Sequence, residues 1–202
     1  GTNVGSDALT SHDELKLGAT LRQTILHLRI APALRLLQLF AEGHNIDVQR
    51  LLEVQPDFPA SFGLVSTAAD LIADALPEVA ILSIFEPIEL QGLIQVLNFM
   101  AEMVQGPCAE NQAVLAVSSA LPSTMLILQF APDIQHNSAG LHYALKASAM
   151  TFVYSLIEAR PAHPEDPVYN ALFKALDMRE VRESLLRIHH AAKQRKDDDL
   201  SQ

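Results

Sequence analysis

Apolar residues recur along the chain at the three- and four-residue spacing of α-helices, and proline or glycine interrupts that pattern at short intervals. Serine, aspartate and proline stand where helices would begin, whereas glycine or proline stands where they would end. The pattern predicts helices over residues 11–29, 32–42, 47–54, 61–76, 87–105, 107–117, 121–130, 141–159 and 177–193. The one ambiguous run, residues 79–85, is too isolated to form a sheet.

Short helices joined by brief loops predict an all-α fold, built as an armadillo-like or irregular stack of antiparallel helical hairpins. The sequence has no strict internal repeat of fixed period, which disfavours a regular solenoid. We expect residues 11–193 to form a single domain. Residues 1–10 are interpreted as a cloning scar or disordered N-terminus, and residues 194–202 as a disordered tail.

Composition narrows the class of protein further. A chain of 202 residues with 49% hydrophobic content can bury a sizeable core and is not generally disordered. No apolar run approaches the roughly 18 residues of a membrane span, so we expect no direct membrane insertion by this segment. There is also no signal-peptide pattern. The single cysteine, Cys108, permits no internal disulfide, which fits a reducing compartment.

The net charge of −10 is concentrated in the middle of the chain. Residues 51–145 contain no lysine or arginine, yet they contain ten acids: Glu53, Asp57, Asp70, Asp74, Glu78, Glu86, Glu89, Glu102, Glu110 and Asp133. These acids are either a solubilising surface or a field that attracts cations or a basic partner. Both interpretations argue against nucleic-acid binding, which requires basic patches.

The predicted helix 87–105 is apolar around most of its circumference and carries one narrow polar stripe. The stripe lacks the lysines typical of a solvated face and consists of Gln91, Gln95, Asn98, Glu102 and Gln105. It either faces another part of the protein or a bound group, or it is a small exposed strip.

Two carboxylates occupy unusual positions at helix ends. Glu102 lies in the last turn of helix 87–105, and Glu42 ends an apolar helix just before Gly43. A helix C-terminus already carries about −0.5 charge, so a carboxylate there is unfavourable unless a cation offsets both. Together the two glutamates could supply hard oxygen ligands to calcium. Taken singly, each could equally be an exposed acid, and spacing alone does not establish that they meet.

Two stretches carry a resemblance to a known family. The sequences LRLLQLFAEGHNIDVQRLL and AEMVQGPCAENQ resemble two signatures of the RIH-associated domain of intracellular calcium-release channels, the inositol trisphosphate and ryanodine receptors. The resemblance covers Ala31 to about Leu115. Glu110 and the stretch FGLVSTAADLI are closer to the inositol trisphosphate receptor version. Gly43 and Val48 depart from the usual Asn and Leu.

The resemblance implies a cytoplasmic regulatory domain of a ligand-gated calcium-release channel. It implies that Glu42 and Glu102 are carboxylate ligands of a cytosolic calcium-sensing site coupled to gating, and that His44 and Gln105 flank the ion. A further ligand, a backbone carbonyl, would come from a C-terminal segment absent from this chain, so calcium binding by the isolated domain should be weak.

The same resemblance implies the partners and the location. The partners would be the other cytoplasmic and C-terminal domains of the same homotetrameric channel. The location would be the cytoplasmic side of an intracellular calcium-store membrane, the endoplasmic reticulum or its equivalent.

Three other interpretations were weighed against this one. An enzyme could use Cys108 with His44 or His142 as its base, but no local signature surrounds the cysteine, and we expect no enzymatic activity. A zinc site is disfavoured because His189 and His190 are adjacent and no metal-binding spacing accompanies them. A stand-alone helical adaptor without calcium binding, with a groove for a basic peptide, remains the main alternative.

Overall fold

The computed structural model describes residues 30–132, 138–161, 163, 165–175 and 177–199. These residues contain no strand, and they form nine α-helices: α1 Ala31–Ala41, α2 Ile46–Glu53, α3 Leu64–Ala75, α4 Pro87–Val104, α5 Ala109–Val117, α6 Ala120–Gln129, α7 Ala139–Leu156, α8 Pro167–Ala175 and α9 Met178–Asp199. The all-α prediction is confirmed, while the armadillo-like stacking stays a prediction. The expected helix 11–29 and the terminal segments 1–10 and 200–202 lie outside the described residues.

Helix ends follow the local chemistry that the sequence displays. α4 begins with Pro87 in its first turn, and Glu86 and Glu89 form a reciprocal capping box there. α2 begins after Asn45, whose side chain accepts a hydrogen bond from the Val48 backbone N–H at 3.3 Å. Each of these local devices satisfies or replaces backbone donors that a helix end leaves unpaired.

Several elements differ from the sequence prediction, and α8, Pro167–Ala175, was not predicted at all. α5 begins at Ala109 rather than Pro107, because the Cys108 N–H donates to the Val104 carbonyl and so belongs to the closing turn of α4. The ambiguous run at 79–85 is a 3-10 helix, Val79–Ile84. α9 continues to Asp199, six residues beyond 193, so the expected disordered tail is helical that far. Lysine, glutamine and arginine are strong helix formers, and they fill residues 193–196.

α4 is the central helix, and it packs against α1, α3, α5 and α7. Its apolar side chains, including Leu93, Phe99 and Met103, are fully buried. Burial of each such side chain contributes roughly 1.5–3 kcal/mol. Four of the five residues of the polar stripe are half-buried and Gln91 is exposed; the Gln95 amide, for example, donates to Gln38 Oε1 at 2.9 Å.

Lys146 joins three helices through a polar contact inside the core. Its ammonium donates to the Leu128 carbonyl at 2.5 Å and to Ser184 Oγ at 2.8 Å. Ser184 in turn donates to the Phe130 carbonyl at 3.2 Å. The cation therefore lies at the C-terminus of α6, where the helix dipole favours positive charge, and it links α6 and α7 to α9.

Arg160 joins the α7–α8 loop to the start of α5. Its guanidinium donates to Asp166 Oδ2 and Gln112 Oε1, both at 2.8 Å, and to the Ala109 carbonyl at 3.0 Å. Only 14% of the Arg160 side chain and 12% of the Asp166 side chain are exposed, so this ion pair is well shielded. Asp166 also accepts from the Val168 backbone N–H and so caps α8.

The helices α5 and α6 are apolar and bent by 71° relative to each other. Residues Leu115, Leu121 and Ile127 of this pair are buried in the core. In the described part of the chain, no single helix is long and apolar enough to cross a membrane. Taken together, the bent pair α5 and α6 reaches the length and apolar composition of a membrane span.

Candidate metal site at two helix C-termini

The turn that ends α1 carries Glu42 and His44 on a strained backbone. Glu42 is the C-cap residue of α1, and both Gly43 (φ 79°) and His44 (φ 61°) are left-handed. A Cβ added at Gly43 meets nothing within 4 Å. Because asparagine also tolerates the left-handed region, the glycine changes little from the Asn that the family resemblance leads one to expect.

The turn that ends α4 lies directly against the first one. Gly106 is left-handed (φ 89°), and a Cβ placed there would lie 2.3 Å from the Cβ of His44. Only a glycine permits this approach of the two backbones. The contact brings the Glu42–His44 turn beside Glu102, a proximity that the sequence pattern alone could not establish.

Buried side-chain amides fix the end of α4. Gln49 of α2, which is 1% exposed, donates to the Glu102 carbonyl at 2.6 Å and to the Gln105 carbonyl at 2.9 Å. Asn111 of α5 donates to the Met103 carbonyl at 3.0 Å and to the Gln49 carbonyl at 2.9 Å. Carbonyls that a helix end normally leaves unpaired are thus bonded, and α2, α4 and α5 are tied together at this point.

The carboxyl group of Glu102 has a raised pKa. Burial is the first cause, and the negative charge of Glu42 adds to it, whereas the His44 imidazole, the Arg35 guanidinium and a hydrogen bond from the His44 backbone oppose it. Burial therefore raises the pKa of Glu102 more than repulsion from Glu42 does.

A cation that the sequence reasoning missed lies beside this pair. The Arg35 guanidinium is 3.7 Å from Glu42 Oε1, and both side chains are about half exposed, at 51% and 53%. Arg35 precedes Glu42 by seven residues, which is two helical turns, so this proximity was available from the sequence. Arg35 supplies part of the charge compensation that a metal ion would otherwise provide.

The remaining groups near the site belong to other contacts. The Gln105 amide donates to Ser155 Oγ of α7 at 3.2 Å, so its nitrogen faces α7. The Gly106 N–H donates to Glu158 Oε2 at 3.2 Å. Among the described residues, no three His, Cys, Asp or Glu side chains converge as a metal cluster.

The donor set fits part of a calcium site. The two carboxylates lie at two adjacent helix ends and would offer hard oxygen ligands, the ligand chemistry that calcium prefers. Calcium takes about six to eight oxygens, so two glutamates need water or groups from outside this cluster to complete the shell.

The cysteine and the other histidines considered for catalysis or zinc binding are either buried or located outside this site. Cys108 is fully buried, and burial raises the pKa of its thiol, which favours the unreactive neutral form. His142 is buried with its ring 5.1 Å from that of Phe130. His189 and His190 are both exposed on α9, with ring centroids 5.9 Å apart.

A known protein family matches about half of this chain. The family described as RyR and IP3R Homology associated matches residues 27–128, which is 102 of the 202 residues. The match includes both turns of the candidate site and the helices from α1 through most of α6. This family is associated with the ryanodine and inositol trisphosphate receptor channels. The chain belongs to the RyR and IP3R Homology associated family.

Proposed function

We propose that this chain is a cytoplasmic regulatory domain of an intracellular ligand-gated calcium-release channel, and that Glu42 and Glu102 contribute carboxylates to its calcium-sensing site. The observation that carries the proposal is the contact between Gly106 and His44, which holds the two glutamate-bearing turns together. His44 lies beside the Glu102 carboxyl group, and in this proposal it flanks the ion together with Gln105 at the end of α4. The closer relation to inositol trisphosphate receptors, supported by Glu110, is part of this proposal.

Calcium binding would change the charge balance of the site. In its absence, Arg35 and His44 partly offset two neighbouring carboxylates, one of which has a raised pKa. A divalent ion would compensate Glu42 and Glu102 together and relieve their repulsion. Because this chain offers only two carboxylates, we expect a dissociation constant of roughly 0.1–1 mM or weaker for the isolated domain.

Coupling to gating would follow from the position of α4. This helix packs against α1 and α7, and its C-terminus is tied by Gln49 and Asn111 to α2 and α5. An ion that binds better when a channel segment completes the site would shift the assembly toward that arrangement. Residues 11–193 would act as a single domain, within a homotetramer at the cytoplasmic face of a calcium-store membrane.

Calcium titration of the 202-residue chain tests the proposal. Isothermal titration calorimetry at low ionic strength should detect weak binding that Glu42→Gln and Glu102→Gln each abolish. Glu78→Gln is the matched control, because it removes the same charge from an exposed acid outside the site. A wild-type chain indifferent to calcium would instead support the adaptor interpretation.

The full-length channel provides a second, sharper readout. Either glutamate substitution should move calcium activation to higher concentration, and the double variant should add little to the worse single one, because both residues serve one site. Unaltered calcium dependence of a Glu102→Gln channel would contradict the proposed role.

A further inference from the structure

A groove separate from the candidate metal site runs between the outer faces of α2 and α5. It encloses about 410 Å³, within the range of ligand-binding pockets, and its lining is mostly apolar. The apolar part includes Leu51 of α2, Val54 and Pro56 just after that helix, and Val114 of α5. Leu51 and Val54 are 53% and 56% exposed, so they present neighbouring apolar surface to the groove.

The charged residues that line the groove are mainly acidic. Asp47, Glu53 and Glu110 contribute three carboxylates, against one guanidinium from Arg50. Arg50 is held by Glu110 at 2.7 Å, so it is not available as a free cation. The Glu53 carboxylate accepts from the Ser66 N–H and hydroxyl at the start of α3. Asp47 is the acid whose side chain is exposed and has no ion pair among those described.

We propose that this α2–α5 groove docks an amphipathic helix of a protein partner, with apolar side chains against Leu51, Val54 and Val114 and lysine or arginine beside Asp47.

The shape of the groove favours a helical occupant. Its α2 side extends from Asp47 to Glu53, six residue steps or about 9 Å along the helix axis. This is close to two turns, comparable with the spacing over which a docked helix presents anchors at positions i, i+4 and i+7. The described residues contain no strand, so they offer no sheet edge to which an extended peptide could add.

Charge complementarity favours a basic occupant. The charged residues that line the groove have a formal net charge of −2, and α5 itself contains no lysine or arginine. A basic helix would therefore meet little like charge as it approaches this face. The inference does not depend on calcium binding, because it uses neither Glu42 nor Glu102.

The test uses two synthetic amphipathic helices with the same leucine face, one with lysine and one with glutamate on the polar face. Fluorescence anisotropy with the full 202-residue chain should show binding of the lysine peptide, and at least about tenfold weaker binding of the glutamate peptide. Leu51→Asp should weaken the lysine peptide at least about tenfold, because it places a charge in the apolar contact.

Leu185→Asp is the matched control, since Leu185 is a leucine of similar exposure, 58%, on α9. Both substitutions add one negative charge. If the lysine peptide were held only by non-specific attraction to an acidic protein, neither substitution would weaken its binding. Equal effects of the two substitutions would overturn the proposal. Sedimentation that shows a wild-type dimer and a Leu51→Asp monomer would also overturn it, because the groove would then bind a second copy. Circular dichroism and thermal unfolding confirm that each variant remains folded.

Discussion

The substitution Gly106→Ala tests whether the backbone itself builds the contact between the two glutamate-bearing turns. An alanine in the left-handed region costs about 1–2 kcal/mol. Its Cβ would also lie 2.3 Å from the Cβ of His44, well inside the optimum of roughly 3.5–4.0 Å. A change of rotamer moves neither Cβ, so the turns must separate, and overpacking of this kind adds about 1–3 kcal/mol. We expect the free energy of unfolding to fall by about 2–5 kcal/mol.

Gly43→Ala is the matched control for this effect. Its φ of 79° is similar, but its Cβ would meet nothing within 4 Å, so only the conformational cost of about 1–2 kcal/mol should appear. Urea denaturation followed by far-ultraviolet circular dichroism measures both variants. Losses that agree to within about 0.5 kcal/mol would refute the steric argument. Calcium titration should additionally show weaker binding for Gly106→Ala, because His44 and Glu42 would move away from Glu102.

Three further predictions follow from single side chains. Arg35→Gln should tighten calcium binding roughly three- to tenfold in calorimetry, because it removes a positive charge beside the carboxylates, while Arg179→Gln, at an exposed arginine elsewhere, should not. The pKa of Lys146 is lowered from 10.5 to about 8 by burial and then by Arg187, so the folded chain binds fewer protons than the unfolded chain between these values. The free energy of unfolding of the wild type should therefore rise relative to Lys146→Met between about pH 8 and 10.5, and parallel pH profiles would contradict this. Cys108→Ala should cost about 1–2 kcal/mol in urea denaturation and leave calcium titration unchanged, since the thiol is buried and structural.

Helix ends were predictable where one residue decides the backbone. Pro87 and Gly43 mark the start of α4 and the end of α1 because their effects on φ and on hydrogen bonding are local. The start of α5 was not predictable, because the Cys108 N–H bonds to Val104 of the preceding helix instead of opening a new one. Residues 194–196 have high helix propensity and the helix continues to Asp199, but the run of charged residues led to the interpretation of a disordered tail.

The candidate site was only partly predictable, because its local features can be recognised in the sequence and its long-range contacts cannot. The positions of Glu42 and Glu102 at helix C-termini can be recognised from the sequence, but their proximity depends on a contact between residues 44 and 106. Gln49 appeared to be an ordinary helix residue, although it bonds to carbonyls 53 and 56 positions away. Long-range contacts of this kind leave no periodic signal in a single sequence.

The shielded ion pair of the α7–α8 loop has a consequence for protein engineering. The Arg160 guanidinium and the Asp166 carboxylate join the two ends of this loop through a 2.8 Å ion pair, and His163 between them is exposed. A domain inserted at such a clamped loop adds little closure entropy, since that cost grows slowly with length. The same loop begins at Glu158, which bonds to Gly106 beside the candidate site. A circularly permuted fluorescent protein inserted at His163 would therefore sit on a loop anchored at both ends and joined to the turn whose movement it is meant to report.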